Sequence, residues 1–378
     1  MKIGIISRSD LNNKLFWSGV PSNVYSNLKK NKKIKVIKID KLNENLRKLF
    51  AIKREYLKIF KKVKFDETYN IKVSKNYAFQ IEKKLKKISN VSHLLTFDLS
   101  LISHLKTDIP IILWTDVLYS DYYQHYFKKQ KISKLSLNDI KLLEYEAIKQ
   151  CKIILISSKW ALSKAQKKYK QFKNKFKLLE FGPSFQRQVS EKKIKKSIFN
   201  RGTNKIKLIS LSVDGKRKGV DRQVKLVNYM NRKGIKTELK VIGFKPKINY
   251  NNSNLKFLGF INKNDSAGEK KISSMLLESH FHLLFSSAEA YGLALIEANS
   301  RAVPNISFYV GGISQIVKNK KNGRLFKKNE KIEKIGDYLI SLFNNTRMYR
   351  KLAISSYFEF KKNFNNKKII SDFIKLIK

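Results

Sequence analysis

Two successive series of short apolar runs constrain the fold of this 378-residue chain more than any other feature. Short continuous apolar runs, separated by helical patterns, are typical of parallel strands that are buried on both faces of a sheet. The first series is Lys2 to Ser7, Ile34 to Ile39, Ser92 to Phe97, Pro110 to Thr115, Lys152 to Ser158 and Lys175 to Phe181. The second series is Ile206 to Leu211, Glu238 to Gly243, Leu255 to Leu258, His282 to Phe285, Asn305 to Tyr309 and Gly323 to Phe326. The pattern therefore predicts an α/β protein with two parallel sheets.

A lysine-rich stretch from Gln186 to Asn204 lies between the two series and is the best candidate for a linker. Because the chain length suits about two domains, we predict domains at residues 1–190 and 202–346, followed by C-terminal helices at 347–378. In sheets of this kind, ligands bind beyond the carboxyl ends of the strands. The cleft between two such domains is therefore the expected binding site.

The segment SSAEAYGLALIEA, Ser286 to Ala298, holds two carboxylates on either side of a turn. The apolar run His282 to Phe285 predicts a buried strand before it, and a helical pattern follows it. Glu289 is therefore expected at the carboxyl end of a strand. Gly292 is expected at the start of a helix, where backbone N–H groups favour phosphate or sugar oxygens. Glu297 is expected more than one helical turn after Gly292. A solvent-lining carboxylate at that place can accept two hydrogen bonds from a ribose diol.

This segment and its surroundings resemble the retaining family 4 glycosyltransferases, which belong to the glycosyl transferases group 1 and have the GT-B fold. The family pattern here is E-x-F/Y-G-x4-E, then G-x-P, then G-G-I/V-x-E, then N-G. The matching residues are Glu289 to Glu297, Ala302-Val303-Pro304, Gly311-Gly312-Ile313 and Asn322-Gly323. The resemblance implies two Rossmann-like α/β domains whose parallel sheets face a central cleft. It also implies that the C-terminal helices pack back on the first, acceptor-binding domain.

The resemblance implies roles for residues of the second, nucleotide-sugar-binding domain. Glu289 would hold sugar hydroxyls and steady the developing positive charge, and Glu297 would hold the ribose. Lys218 takes the place of a family lysine that contacts the donor diphosphate, in the segment DGKRKGVD. The adjacent Arg217 is a further candidate for donor binding. The backbone amides that would bind sugar or phosphate oxygens are those of Tyr291, Gly292 and Leu293.

Two residues of the first domain are candidates by the same resemblance. Gly19 follows the loop after the first strand and opens a helix, as the family's glycine-rich loop does, although a helix-capping turn gives the same pattern. Asp116 stands at the end of a strand where the commoner family pattern has a histidine. A subset of relatives has a T-D-A-T-F-like motif there, which the local TDVLYSDYY resembles. Asp116 is therefore a candidate catalytic contact to the donor sugar or the acceptor.

The implied function is transfer of a hexose-type sugar, with retention, from a UDP- or GDP-linked donor to a hydroxyl of a glycan or lipid-linked acceptor. Such reactions build cell-surface polysaccharide, lipopolysaccharide or glycolipid. The sequence has no Asp-x-Asp and no His or Cys cluster with metal-ligand spacing. We therefore expect no metal and no cofactor, with Lys218 stabilising the leaving group. Two alternatives stay open: a GT-B sugar-nucleotide epimerase, and a non-catalytic basic protein that binds nucleic acid.

The formal net charge of +52 is large, with 81 Lys and Arg against 29 Asp and Glu. Lysine runs interleaved with aromatic residues, such as Lys167 to Lys177, suit docking on an anionic membrane surface, and compositional drift would give the same charge. No zinc-finger, homeodomain or RNP-type pattern accompanies it, so nucleic acid is not an expected partner. The start, MKIGIIS, predicts a strand and not a signal peptide. We expect a cytoplasmic protein, with peripheral docking at the inner face of the membrane as the alternative to a wholly cytosolic one.

Overall fold

The computed structural model describes residues 1–127, 130–247, 250 and 252–377, and it divides into two compact units. The first unit comprises Met1–Glu180 together with the segment that begins at Ile370. The second unit comprises Phe181–Ile369. Within the described residues, no helix is both long and apolar enough to cross a bilayer.

The first unit contains one parallel sheet of six strands in the order β2-β1-β3-β4-β5-β6. Its strands are β1 Lys2–Ile6, β2 Lys35–Ile39, β3 His93–Thr96, β4 Ile111–Thr115, β5 Cys151–Ile156 and β6 Phe176–Leu178. Its helices are α1 Val20–Lys29, α2 Asn45–Phe60, α3 Ile71–Leu85, α4 Tyr119–Tyr126, α5 Lys134–Gln150 and α6 Lys159–Lys168. The central strand β4 is buried along its whole length, as a strand covered by helices on both faces must be.

The second unit repeats this plan, with six parallel strands in the order β12-β11-β10-β7-β8-β9. Its strands are β7 Ile206–Leu211, β8 Thr237–Ile242, β9 Leu255–Phe257, β10 Phe281–Leu284, β11 Asn305–Phe308 and β12 Gly323–Phe326. Its helices are α7 Glu191–Phe199, α8 Val220–Arg232, α9 Ser266–Glu278, α10 Leu293–Asn299, α11 Ile313–Ile316, α12 Ile332–Asn344 and α13 Thr346–Asn363. A last helix, α14 Asn366–Ile377, begins in this unit and ends in the first.

Both sheets contain a point where the strand order reverses. In the first unit β1 lies between β2 and β3, and in the second unit β7 lies between β8 and β10. The helices after the two reversing strands run to opposite sides, which leaves a crevice at the carboxyl ends of those strands. The crevice of the second unit is therefore bounded by the segments that follow β7 and β10.

Each of the twelve strands predicted from the sequence overlaps an observed strand, and the predicted α/β class is confirmed. The linker prediction is wrong, because helix α7 occupies much of the stretch from Gln186 to Asn204. Its Ile194 and Ile198, four residues apart, are buried in the core of the second unit. Arg201 follows and is buried too, donating to the backbone carbonyls of Leu277, Arg301 and Ala302.

The C-terminal helices also divide differently from the sequence prediction. Residues 347–369 group with the second unit, and the first unit receives only the segment from Ile370. The physical reason lies in α13, whose Tyr349, Leu352 and Ala353 are buried in the core of the second unit. In the first unit, Phe373 of α14 stacks on Trp114 of β4 with the ring centroids 5.3 Å apart.

The single cysteine, Cys151, is buried at the start of β5, where burial raises the pKa of its thiol to about 12.

Candidate active site

The segments after β7 and β10 meet at the strand reversal of the second unit. Gly219, which caps α8, adopts a left-handed conformation with φ of 68°. A Cβ at Gly219 would lie 2.3 Å from the carbonyl oxygen of Phe285, just after β10. Only glycine therefore allows this close approach without a shift of the backbone. The approach places the neighbouring Lys218 beside the segment that carries Glu289.

Glu289 is bound by two cations from the segment after β7. The Lys218 ammonium donates to Oε2 of Glu289, and Nη1 of Arg217 lies 3.5 Å from the same oxygen. Ser286 donates to that oxygen as well, at 3.3 Å. Burial alone would raise the pKa of Glu289, but the charges of Lys218 and Arg217 outweigh it and the pKa lies below its usual value. The carboxylate is therefore held ionised against two cations.

Arg217 is fixed from both sides. Asp214 accepts from its Nε at 3.2 Å and from its backbone N–H at 3.0 Å, and the carbonyl oxygen of Ala288 accepts from Nη1 at 3.0 Å. These contacts orient the guanidinium toward the end of β10. Arg217 and Lys218 thus form a pair of cations at the strand reversal, in the positions predicted from the sequence.

The Tyr291-Gly292-Leu293 turn stands as predicted between β10 and α10. Gly292 caps α10 with φ of 104°, and Leu293 is the first helical residue. The first backbone N–H groups of an α-helix have no carbonyl partner inside that helix. The backbone of Glu289 is held by the glycine-rich segment after β11, because the N–H of Gly312 donates to the Glu289 carbonyl at 3.0 Å. The Tyr291 ring is buried and its hydroxyl donates to the carbonyl of Phe181 at 2.8 Å, so the side chain supports the turn.

Glu297 differs from its prediction as a solvent-lining carboxylate, because its residue is only 2% exposed. The Lys263 ammonium lies 2.7 Å from Oε1 and 2.8 Å from Oε2, and Ser184 donates to Oε1. A carboxylate that is buried on the inward face of a helix needs hydrogen-bonding partners of this kind, because an unpartnered buried charge is costly. The sequence did not predict Lys263 or Ser184, which lie 34 and 113 residues from Glu297.

We expect Glu297→Gln to lower stability as well as any nucleotide affinity. The change removes the charge that pairs with the partly buried Lys263 ammonium, so the free energy of unfolding should fall by about 1–3 kcal/mol. Chemical denaturation monitored by circular dichroism measures this loss. A Glu297→Gln protein with wild-type stability would show that the ion pair between Lys263 and Glu297 does not stabilise the fold. The matched control is Glu278→Gln, which changes an exposed glutamate of the same unit.

Gly19 and Asp116 lie in the first unit, after β1 and after β4. Gly19 caps α1 with φ of 82°, and Trp17 and Ser18 before it also have positive φ values, of 46° and 55°. Three successive left-handed residues make a sharply wound turn, which fits the predicted loop. Asp116 directly follows the last residue of β4 and is partly exposed.

A pair of charges that the sequence did not predict lies at the strand reversal of the first unit. Arg8 follows β1 and Asp98 follows β3, and Nε of Arg8 lies 2.9 Å from Oδ2 of Asp98. The Tyr69 hydroxyl donates to the other carboxylate oxygen at 3.2 Å. Because β1 and β3 are neighbours, their carboxyl ends bring residues 90 positions apart in the sequence into contact. Knowledge of the strand order was needed to find this pair.

Among the described residues, His, Cys, Asp and Glu side chains form no group of three or more that could hold a metal ion. His282, on β10, is buried and forms a hydrogen bond with Oδ1 of Asn305 at 2.7 Å. Burial lowers the pKa of His282 to about 4, so it is neutral at physiological pH. Lys218, Arg217, Asp214 and Glu289 are charged groups that contact one another at the strand reversal of the second unit.

Comparison with known proteins relates this site to a family. Residues 191–357 match the family model for glycosyl transferases group 1. A stretch of 114 residues is 28% identical to N-acetyl-alpha-D-glucosaminyl L-malate synthase of Bacillus anthracis, and it spans 30% of this chain and 28% of that enzyme. The segments that carry Lys218, Glu289 and Glu297 all lie within the matched family region.

Solved structures extend the likeness to the whole chain. Sucrose-phosphate synthase from Thermosynechococcus elongatus has a TM-score of 0.70 at 13% identity, over 100% of this chain and 98% of that one. Anabaena HepE in complex with UDP and glucose has a TM-score of 0.60 at 12% identity, over 100% and 99%. At these identities the likeness concerns the fold. Residues 191–357 are therefore similar to the group 1 glycosyl transferases, and the chain has the two-unit α/β fold of the GT-B glycosyltransferases.

Proposed function

We propose that this protein transfers a hexose-type sugar from a nucleoside diphosphate sugar to a hydroxyl group, with retention of anomeric configuration. The observation that carries the proposal is the cation pair Lys218 and Arg217 beside Glu289 at the strand reversal of the second unit. Strand reversals bind ligands in open α/β sheets, and two cations at the start of a helix suit a diphosphate. A carboxylate beside them suits the hydroxyls of the attached sugar.

The donor would lie across the carboxyl ends of β7 and β10. Its diphosphate would contact Lys218, Arg217 and the N–H groups at Gly292 and Leu293. Its sugar would contact Glu289, and its ribose would contact Glu297. Lys263 and Ser184, which donate to the Glu297 carboxylate, would fix its position for this contact.

In the transfer step, the bond from the sugar C1 to the β-phosphate oxygen breaks and the acceptor oxygen bonds to C1 on the same face. The acceptor proton passes to the departing phosphate oxygen, so no dedicated base is required. Positive charge develops on the sugar ring and negative charge on the diphosphate. Glu289 would stabilise the first charge, and Lys218 and Arg217 the second. Preformed charges of this kind stabilise the transition state because they need little reorganisation.

We further propose that the reaction needs neither metal nor organic cofactor, since Lys218 and Arg217 supply positive charge where a cation would otherwise bind. The first unit would bind the acceptor, a glycan or lipid-linked hydroxyl, with Gly19 near the donor and Asp116 contacting sugar or acceptor. A cytoplasmic enzyme of surface-polysaccharide or glycolipid synthesis fits this reaction. The nucleotide would be UDP or GDP, and nucleic acid would not be a partner.

A donor panel tests the proposal. UDP-glucose leads the panel because UDP and glucose occur in the HepE complex, and UDP-N-acetylglucosamine follows because of the Bacillus anthracis relative. GDP-mannose completes the panel. We expect at least one of these nucleotide sugars to raise the melting temperature of the protein, because a ligand that binds only the folded state stabilises it. NMR of the anomeric proton should then show a retained configuration in the product. An inverted product, or conversion of the donor to its epimer without acceptor, would contradict the transfer reaction proposed here.

A further inference from the structure

Helix α2 of the first unit presents an apolar stripe to solvent. All of its residues lie in the described part of the chain, and every one is at least partly exposed. The large apolar side chains on its outer face are between 53% and 70% exposed: Leu49, Ile52, Tyr56, Ile59 and Phe60. Their spacing of three, four, three and one residues places them on one side of the helix. A continuous stripe of this kind is not the scattered exposure common on protein surfaces.

The opposite face of α2 fixes the helix so that the stripe points outward. Phe50 stacks on Phe65 with the ring centroids 6.4 Å apart. Arg47 and Arg54 both bind the carboxylate of Glu67, whose side chain is 8% exposed. Because these contacts anchor the inner face, rotation of α2 about its axis would break partly buried ion pairs. The exposed stripe is thus a fixed feature of the folded first unit.

Basic residues surround the stripe. From Asn45 to Lys62 the chain has seven basic residues and one acidic residue, a net charge of +6. The acidic residue, Glu55, is paired with Arg54 at 2.9 Å and lies 3.5 Å from Lys58. Five lysines along and just beyond the helix are exposed: Lys48, Lys53, Lys58, Lys61 and Lys62. Apolar side chains flanked by cations match the chemistry of an anionic lipid surface.

The basic surface continues beyond the end of α2. Lys62 adopts a left-handed conformation, and Val63 donates to the Leu57 carbonyl at 3.2 Å, which ends the helix sharply. Lys64 then exchanges backbone hydrogen bonds with Lys131 and Ser133, at 2.8 and 2.9 Å. This pairing brings the start of α5, with further exposed side chains, next to the end of α2. The exposed residues there are Lys131, Lys134 and Leu135.

We propose that α2 docks the protein on an anionic lipid bilayer, with its apolar stripe in the headgroup region and its lysines on the lipid phosphates. A protein partner is a poorer match, because protein interfaces are depleted of lysine whereas amphipathic helices at membranes are rich in it. Docking is independent of the transfer reaction and can be measured without any donor. The charge of this surface would then serve a function, in contrast to compositional drift.

A fluorescent label on α2 tests the proposal on the full chain. Cys151 is the single cysteine and is buried, so a cysteine introduced at the surface is labelled selectively. Ile52→Cys places an environment-sensitive dye, NBD, in the stripe. Phe199→Cys is the matched control, because Phe199 is also an exposed apolar residue on a lysine-rich helix, α7. Vesicles of phosphatidylcholine, with and without phosphatidylglycerol, are the probes.

With phosphatidylglycerol vesicles, NBD at position 52 should shift to the blue and brighten, while NBD at position 199 should not change. Neutral vesicles should have little effect, and the shift should fade toward 1 M salt, where the screening length is about 3 Å. The double variant Ile52→Gln, Phe60→Gln should sediment with anionic vesicles at least about tenfold more weakly than the wild type. Circular dichroism should be unchanged, because both side chains are exposed.

Three results would overturn the proposal. Vesicle binding without a shift at position 52 would assign binding to charge spread over other surfaces. Equal binding of the wild type and the double glutamine variant would exclude the stripe. A wild-type dimer in sedimentation velocity that the double variant dissociates, together with no binding to vesicles, would assign the stripe to self-association.

Discussion

Lys218→Ala should lower turnover by roughly 10² to 10³, because it removes a cation that would contact the departing diphosphate in the proposed complex. The loss corresponds to about 3 kcal/mol of transition-state stabilisation, the scale of one deleted donor to a developing anion. Arg217 remains in place, held by Asp214 and Ala288, so the activity should be reduced and not abolished. Initial rates with saturating donor and acceptor measure the effect.

The matched control is Lys216→Ala, which removes an exposed lysine two residues away in the same loop. Its turnover should stay within about twofold of the wild type, because an exposed surface cation contributes little. Lys218→Arg should recover part of the lost rate, since it restores the charge with a different geometry. Equal activity of the Lys218→Ala and Lys216→Ala proteins would contradict the role of Lys218.

Glu289→Gln should lower turnover by roughly 10² while leaving the affinity for free UDP or GDP unchanged or tighter. The carboxylate faces the sugar in the proposed complex, so its charge matters when positive charge develops on the ring. In the protein without donor, the same carboxylate binds the Lys218 ammonium. Its removal frees Lys218 for the diphosphate, which should favour nucleotide binding. Steady-state rates and equilibrium titrations measure the two effects separately.

Stability gives an independent control on Glu289. Because its pKa in the folded protein is lowered, the ion pair stabilises the fold above the usual carboxyl pKa, and this stabilisation is lost as the pH falls through the lowered value. Glu289→Gln should therefore flatten the fall in melting temperature on the acid side. A variant whose nucleotide affinity falls as much as its turnover would show that Glu289 serves the nucleotide and not the sugar.

The sequence predicted the strands because they depend on local pattern, whereas the roles of Lys218 and Glu289 were inferred from the family resemblance. Buried parallel strands are short apolar runs, and the segments that follow β7 and β10 carry Lys218 and Glu289 within a few residues of the strand ends. The two segments meet where Gly219 approaches Phe285 so closely that a Cβ at Gly219 would lie 2.3 Å from the Phe285 carbonyl oxygen. This approach depends on the strand order, which the apolar runs do not predict.

The contacts that the sequence did not predict join distant segments. Lys263 reaches Glu297 from the loop after β9, and Arg8 reaches Asp98 from a neighbouring strand. The sequence analysis did not predict helix α7, because the lysine-rich composition of this stretch indicated a linker. The four-residue spacing of the buried Ile194 and Ile198 is the helical signal within it. The apolar stripe of α2 shows the opposite limit, since an amphipathic pattern identifies a helix and does not tell whether solvent or core meets its apolar face.

The most direct test is titration of UDP and GDP, by calorimetry in excess EDTA, into the wild type and the Lys218→Ala and Lys216→Ala variants. We predict that one of the two nucleotides binds the wild type and Lys216→Ala equally without a metal ion. We predict that Lys218→Ala binds it at least about tenfold more weakly, because a charge-assisted contact to the diphosphate is lost. Binding that requires added Mg²⁺ or Mn²⁺ and survives Lys218→Ala would contradict a donor site built on this lysine.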